Sequence, residues 1–181
     1  YILGAAWIAM EIDGKRLVFS GDVGRPNDPV MRPAAPIERA DCLVLESTYG
    51  NRRHAEINLA DELADVVNRT VELGGIVLVP AFAVGRSQAL MHLFVELKSA
   101  GKIPANVPIF LNSPMAINAS DLYCRWHDQH RLTKEQCDRM CASVTYVREA
   151  SDSRVLNSRK APAIIISASG MVTGGRVLHH V

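Results

Sequence analysis

The chain has 181 residues, of which 48% are hydrophobic and 22% are charged, and such values are typical of a globular protein that buries a core. The formal net charge is +1, which excludes a protein that binds nucleic acid through bulk positive charge. No apolar run reaches the roughly 20 residues of a membrane-spanning helix, and we expect a cytoplasmic protein without a membrane partner. The four cysteines form no Cys-x-x-Cys pair, so we expect reduced, buried thiols.

The first predicted element is a β-hairpin. Two apolar, β-rich runs, residues 5–12 and 15–20, flank Asp13-Gly14, and this dipeptide is a strong signal for a two-residue turn. The proline-rich stretch 26–36 follows, and we expect a loop there because proline lacks the backbone N–H that regular elements use.

From residue 41 onward, short apolar runs alternate with helical patterns. The runs are residues 42–46, 76–80, 108–111, 144–147 and 163–167. Runs of this length are typical of parallel strands buried on both faces. Helices are predicted over residues 60–71 with Asn58 as N-cap, over 90–97, from Ser113-Pro114, over 151–158 and from Gly174. The pattern predicts an α/β fold in which the hairpin is followed by a doubly wound, mostly parallel sheet.

Polar and glycine-rich loops follow four of these runs. They read Glu46-Ser47-Thr48-Tyr49-Gly50, Gly85-Arg86-Ser87-Gln88, Asn112-Ser113, and Ser169-Gly170-Met171 with Gly174-Gly175-Arg176. The carboxyl ends of parallel strands share one sheet edge, where helix N-termini, glycine turns and arginines suit phosphate oxygens. Ordinary helix caps and glycine turns explain the same residues, so the pattern leaves both interpretations open.

Two carboxylates, Asp22 and Glu46, stand where predicted buried strands end. A charged group at such a place needs a partner, a metal ion or a solvated cleft. A structural salt bridge is the alternative, and neither residue has a local cluster of His or Cys that would make it a metal ligand. The residues taken alone therefore indicate an anion-binding sheet edge and no particular reaction.

Six motifs in a fixed order carry a resemblance to a known family. They are Ile2-Leu3-Gly4-Ala5-Ala6; Ser20-Gly21-Asp22; Glu46-Ser47-Thr48-Tyr49-Gly50 with Arg52 and His54; Phe82-Ala83-Val84-Gly85-Arg86-Ser87-Gln88; Ser113-Pro114-Met115-Ala116; and Ser169-Gly170-Met171 with Gly174-Gly175-Arg176 and His179-His180. Over essentially the whole chain, the sequence resembles the metallo-β-lactamase/β-CASP nucleases, which include the mRNA 3′-end-processing endonuclease and bacterial ribonuclease J.

The resemblance implies roles for particular residues. Asp22 matches an aspartate that bridges two zinc ions, and Glu46 matches an acidic residue that supports the metal site. The residues that match loops along the RNA path are Arg86, Ser87, Ser113, Ser169, Gly170 and Arg176. The implied reaction is zinc-assisted hydrolysis of phosphodiester bonds in single-stranded RNA. The implied domains are residues 1–48, the end of a metallo-β-lactamase domain, and residues 49–181, a β-CASP domain incomplete at its C-terminal side.

The sequence also departs from the family pattern. The HxHxDH zinc motif is absent, and Tyr1 stands where a histidine ligand is expected. We therefore expect a segment of a longer zinc ribonuclease, and we expect no cleavage by this segment alone. One alternative is a catalytically silent relative that binds RNA or a partner nuclease, and another is a small-molecule phosphate or nucleotide binder. A homodimer, the RNA sequence preference and the choice between endonuclease and exonuclease stay open.

Overall fold

The computed structural model describes residues 2–53 and 57–180, and Tyr1 and His54 lie outside these ranges. The strands are β1 (Ile8–Ile12), β2 (Lys15–Phe19), β3 (Cys42–Val44), β4 (Ile76–Pro80), β5 (Ile109–Asn112), β6 (Thr145–Tyr146) and β7 (Ala163–Ser167). The helices are α1 (Leu59–Glu72), α2 (Arg86–Ser99), α3 (Pro114–Arg125), α4 (Lys134–Ala142) and α5 (Ala150–Asn157), with single 3₁₀ turns at His127–Gln129 and Arg176–His179. None of the helices in the described ranges is long and apolar enough to cross a bilayer.

The predicted hairpin is confirmed. β1 and β2 pair antiparallel, with Ile12 opposite Lys15. The turn between them has φ of 50° at Asp13 and 73° at Gly14. Positive φ at both central residues defines the turn that matches the twist of two antiparallel strands. The proline-rich stretch that follows contains no helix or strand, as expected.

β3 belongs to the same sheet as this hairpin, and here the prediction was wrong in part. The run 42–46 was expected to be a buried strand of the main parallel sheet. Instead, β3 pairs in parallel with β2, with Leu17 opposite Cys42, and its side chains are exposed. An apolar run shows that a segment suits a strand, but it carries no information about the sheet that the strand joins.

The second sheet is parallel throughout and has the strand order β4-β7-β5-β6. Successive side chains of β7 point to opposite faces. Ile164 and Ile166 pack into the larger core with residues of α1 to α4, whereas Ile165 packs with Leu156 of α5 and with Val147. Helices therefore cover both faces, and the predicted doubly wound α/β fold is confirmed.

The predicted helix starts are confirmed where a polar N-cap residue marks them. Asn58 Oδ1 accepts hydrogen bonds from two backbone N–H groups of α1, and Ser113 Oγ accepts one from Ala116 at the start of α3. The sequence analysis missed α4, although Thr133 and Gln136 form a capping box at its start. The helix expected from Gly174 onward is only the 3₁₀ turn Arg176–His179.

Candidate functional site

The carboxyl ends of β4, β7 and β5 lie side by side. Ser167 at the end of β7 is in register with Pro80 of β4 on one side and with Asn112 of β5 on the other. Two helices begin directly after this edge, α2 at Arg86 and α3 at Pro114. The structure therefore brings together the loops that the sequence analysis placed at one edge of the main sheet. The loop after β3 is the exception, because β3 lies in the other sheet.

The loop between β4 and α2 presents Arg86 to solvent. Gly85 has a φ of 80°, a conformation that glycine adopts without strain, and α2 begins at the next residue. The Arg86 side chain is exposed, and within the described residues its guanidinium has no hydrogen-bond or ion-pair partner. Ser87 behaves differently, because only 1% of its surface is exposed and its hydroxyl donates to the Phe82 carbonyl at 2.8 Å. The contact that this loop offers to a phosphate is thus Arg86, and Ser87 holds the loop.

Gln88 holds the loop between β4 and α2 in place through buried hydrogen bonds. The sequence analysis gave this residue no role of its own. The side chain is fully buried, and Oε1 accepts a hydrogen bond from the Gly85 N–H at 2.7 Å. The amide nitrogen donates to the Ala83 and Ala116 carbonyls at 3.2 and 3.1 Å and to Ser120 Oγ at 3.0 Å. One side chain therefore ties the start of α2 to α3. A glutamine three residues after the helix N-cap was the signal for this role.

The loop after β7 packs against the loop after β4. A Cβ atom on Gly170 would lie 3.1 Å from the Phe82 nitrogen, so any other residue here would require a small shift of the neighbouring backbone, whereas glycine requires none. Ser169 is partly buried, and its Oγ accepts a hydrogen bond from the Met171 N–H at 3.3 Å. Ser113, whose exposed fraction is 5%, caps α3. Ser113, Ser169 and Gly170 therefore fix the conformation of the loops at this sheet edge rather than project into solvent.

Arg176 lies at the same sheet edge, and its guanidinium is hydrogen-bonded to other residues of the chain. Its Nη1 donates to the side-chain oxygen of Asn112 at 3.0 Å and to the Val147 carbonyl at 2.9 Å, and its Nη2 donates to the Arg148 carbonyl. The guanidinium thus joins β5 to the segment after β6. The sequence analysis had matched Arg176 to a loop along the RNA path, and in this arrangement its guanidinium donates to one side chain and two backbone carbonyls of the protein.

Asn112 is a buried centre of hydrogen bonds that the sequence analysis did not single out. It has no exposed surface, and its amide nitrogen contacts Ser153 Oγ at 2.8 Å and His180 Nε2 at 2.6 Å. On the other side of the ring, His180 Nδ1 lies 2.6 Å from the side-chain oxygen of Asn157. Burial, followed by the neighbouring His179, lowers the pKa of His180. This network attaches the 3₁₀ turn to α5 and to the end of β5.

The two carboxylates follow the carboxyl ends of β2 and β3, which are parallel neighbours. Ser20 Oγ accepts a hydrogen bond from the Glu46 N–H at 3.0 Å and so links the segments that carry Asp22 and Glu46. Glu46 Oε2 accepts from the Thr48 N–H at 3.1 Å, and this backbone hydrogen bond is the main cause that lowers the pKa of Glu46. Asp22 lines a cavity of about 610 Å³ together with Trp7.

The described residues do not provide a complete metal site. Within residues 2–53 and 57–180, no three His, Cys, Asp or Glu side chains stand close enough to hold one metal ion. A zinc site in a protein takes three or four such ligands. Within these ranges Asp22 is therefore not part of a group of three such side chains, and Tyr1 lies outside them.

Comparison with known proteins decides the family. Residues 87–181 match the family model of the Beta-Casp domain, which is more than half of the chain. The chain belongs to the metallo-β-lactamase/β-CASP family. The resemblance seen in the sequence is thereby confirmed, and the parallel sheet with helices on both faces is consistent with a β-CASP domain.

Several relatives of this β-CASP protein are named as RNA-processing proteins. An RNase J-like protein of Methanocaldococcus jannaschii is 33% identical over 99% of this chain and 43% of its own length. A ribonuclease of Thermus thermophilus is 32% identical over the same shares, and the Arabidopsis thaliana cleavage and polyadenylation specificity factor subunit 3-I is 35% identical over 68% of this chain and 18% of its own. The chain spans less than half the length of these relatives.

Proposed function

We propose that the protein containing this chain is a ribonuclease that hydrolyses phosphodiester bonds in single-stranded RNA. The observation that carries the proposal is the exposed guanidinium of Arg86 at a sheet edge where α2 and α3 both begin, in a chain whose relatives are named ribonucleases. An arginine beside two helix N-termini suits the phosphates of a nucleic-acid backbone.

The charges around the helix starts support phosphate binding. The first turns of α2 and α3 contain no acidic residue, so the partial positive charge of each N-terminus is not neutralised locally. The first turn of α1, by contrast, contains Asp61 and Glu62. The two helices at the edge beside Arg86 thus have the more favourable electrostatics for an anion.

An exposed aromatic ring lies on the same loop. Phe82 follows β4 and has 58% of its surface exposed, although large aromatic side chains are usually buried. Proteins that bind single-stranded nucleic acid combine basic groups for the backbone with aromatic rings on which bases stack. We therefore propose that Phe82 stacks on a base and that Arg86 contacts a phosphate of the bound RNA.

Zinc enters the proposal through the family resemblance. When bound in such a site, zinc lowers the pKa of a water molecule and so supplies a hydroxide at neutral pH. The described residues offer Asp22 without the remaining ligands, and we derive no catalytic step from this chain. We propose that Asp22 is a ligand in the whole protein, that Glu46 supports it, and that the 181-residue chain alone does not cleave RNA.

The test uses the full-length protein and end-labelled single-stranded RNA, with added zinc and, separately, with a chelator. We expect cleavage that needs zinc and that is lost in Asp22→Asn, because removing one charged ligand weakens metal binding. Cleavage at the same rate in the presence of chelator would contradict the proposed dependence on zinc. Absence of both cleavage and binding would contradict the ribonuclease proposal as a whole.

Tyr1 favours a second candidate function, a relative that binds RNA without cleaving it. A phenol titrates near pH 10 and is a weaker zinc ligand than imidazole at neutral pH. If the full-length protein binds RNA without cleavage and Tyr1→His restores cleavage, this second function is the correct one. Cleavage by the unmodified protein would exclude it.

A further inference from the structure

The proline-rich loop that follows β2 is attached to the segment between α3 and α4 by one arginine, Arg131. Its backbone N–H donates to the Val30 carbonyl at 2.8 Å. Its guanidinium donates twice more, from Nε to the Met31 carbonyl at 2.8 Å and from Nη2 to the Pro26 carbonyl at 2.6 Å. Arg131 therefore binds three carbonyl oxygens of the loop, two of them through the fork of donors that arginine has and lysine lacks.

The loop presents these carbonyls in a fixed arrangement. Asp28 Oδ1 accepts hydrogen bonds from the Val30 N–H at 2.8 Å and from the Met31 N–H at 2.6 Å, so the carboxylate closes a turn at this point. The Val30 and Met31 side chains have 1% and 7% of their surface exposed, and both pack into the larger core with residues of α1 to α4. The acceptors of Arg131 thus belong to a buried part of the loop.

The segment that carries Arg131 is fixed as well. The buried ring of His130 accepts a hydrogen bond from the Leu132 N–H at Nδ1, and its Nε2 lies 3.0 Å from the Tyr123 carbonyl oxygen, which attaches the segment to the end of α3. Cys137 Sγ lies 4.0 Å from the same Nε2. Of the four cysteines, all of them within the described ranges, Cys137 alone is buried, so the expectation of buried thiols was wrong for the other three.

The loop that Arg131 holds forms a wall of the cavity that Asp22 lines. Residues 31–35 line this cavity of about 610 Å³, and so does Leu3. The Leu3 N–H donates to the Tyr123 hydroxyl oxygen at 3.4 Å. Two parts of the cavity wall are therefore hydrogen-bonded to α3 or to the segment that follows it.

We propose that Arg131 is a positioning residue, which holds the cavity that contains Asp22 at a set place relative to the main sheet. The inference rests on the proposed function, in which Asp22 and the sheet edge beside Arg86 act on the same RNA. Asp22 follows the first sheet and Arg86 follows the second, and no strand in the described ranges pairs across the two sheets. Their relative position therefore depends on contacts such as those of Arg131. A displacement of about 1 Å between reacting groups costs up to about a hundredfold in rate.

The test compares Arg131→Lys with Arg139→Lys in the full-length protein. Both variants keep the positive charge and lose the fork of donors. Arg139 is the matched control, because it lies on α4, donates to Glu96 at 2.6 Å and, among the described residues, gives no hydrogen bond to the loop. We expect Arg131→Lys to lower kcat for single-stranded RNA by about tenfold to a hundredfold and to change KM by less than about twofold. We expect neither change in Arg139→Lys.

Hydrogen–deuterium exchange of the same proteins gives a readout that does not depend on activity. We expect peptides that cover residues 26–35 to exchange several-fold faster in Arg131→Lys and peptides that cover β4 and β7 to be unchanged, because the variant releases the loop and leaves the main sheet intact. Unchanged exchange over residues 26–35, a rise in KM at constant kcat, or an equal loss of kcat in Arg139→Lys overturns the proposal. If the parent protein does not cleave RNA, the proposed function fails, and the exchange rates alone decide whether Arg131 holds the loop.

Discussion

At the scale of single residues, Gly175 gives the clearest prediction. Its φ is +74°, and an added Cβ would lie 2.8 Å from the Ala168 carbonyl oxygen. Gly175→Ala is expected to reduce the free energy of unfolding by about 2–3 kcal/mol, from backbone strain and the close contact together. The neighbouring Gly174 is the matched control, because an added Cβ meets no atom within 4 Å there. Equal denaturant midpoints for the two variants would contradict this account.

His180 predicts a pH dependence of stability. Its ring is held between the Asn112 amide nitrogen and the Asn157 side-chain oxygen, and this pair of partners fits the neutral ring. The pKa is lowered in the folded state, so below about pH 6.5 the unfolded chain binds more protons here than the folded chain. The contribution of His180 to stability is therefore complete above about pH 6.5 and is lost as the pH falls through the folded pKa.

The measurement is the free energy of unfolding as a function of pH, in the parent chain and in His180→Gln. We expect the variant to be less stable at pH 7.5 and to lose less stability between pH 7.5 and pH 5. An unchanged slope in the variant would show that other groups cause the acid sensitivity.

At the scale of elements, Gln88 decides how α2 meets α3. Gln88→Leu keeps a buried side chain of similar size but removes the acceptor of the Gly85 N–H and one donor each to the Ala83 and Ala116 carbonyls, of which the Ala116 carbonyl keeps the Ser120 hydroxyl as a donor. Buried groups without partners are costly, and we expect a loss of about 2–3 kcal/mol in chemical denaturation. The matched control is Gln136→Leu on α4, where the bond to the Thr133 N–H is exposed and the expected loss is below about 1 kcal/mol. Similar losses at both positions would contradict the role given to Gln88.

The two arginines of the sheet edge are predicted to differ. Arg86→Ala is expected to change stability by less than about 0.5 kcal/mol, to weaken binding of single-stranded RNA, and to reduce the salt slope of that binding by about 0.7, the value for one phosphate contact. Arg176→Ala removes hydrogen bonds to Asn112 and to two carbonyls and is expected to cost about 2–3 kcal/mol of stability. RNA titrations at several salt concentrations and thermal unfolding of both variants test the contrast. Unchanged RNA binding in Arg86→Ala would remove this loop from the proposed site.

At the scale of the whole molecule, the two sheets differ in how they are covered. The parallel sheet has helices on both faces, whereas β1 and β3 are exposed along their whole length. The large apolar residues exposed on the first sheet are Ile8, Met10, Ile12, Phe19, Leu43 and Val44. The register places Ile8, Phe19 and Val44 on one face and Leu43 on the other, and an exposed apolar face is usually an interaction surface. The chain covers 43% of two of its relatives, so those proteins have more chain with which to cover such a surface.

The number of metal-ligating side chains that the described residues bring together leads to a prediction about zinc. We expect the 181-residue chain to retain less than one zinc ion after gel filtration, because a zinc site needs three or four ligands and the described residues do not bring three together. Metal analysis of the purified chain and of Asp22→Asn provides the test. Two zinc ions per chain, lost on substitution of Asp22, would show that the metal site is complete without further residues.

Local patterns in the sequence predicted most of the elements and the family. Asp13-Gly14 marks a turn, Asn58 and Ser113 mark helix starts, and continuous runs such as residues 76–80 mark parallel strands, because each depends on a few neighbouring residues. The six motifs indicated the family for a similar reason, since their order along the chain can be read without coordinates. The same method missed α4, a short helix whose buried apolar residues are only Cys137 and Met140.

Contacts between distant residues were decided only by the tertiary structure. The pattern of apolar runs placed β3 in the main parallel sheet, and the sequence motifs treated Arg86 and Arg176 alike and did not reveal that Asn112 and Gln88 are buried centres of hydrogen bonding. The exposure and the partners of a polar side chain depend on which elements pack around it, and packing is set by the whole chain rather than by the neighbours in sequence. The sequence alone thus determined the type of fold and the family, and the tertiary structure decided which polar residues face solvent and which hold the protein together.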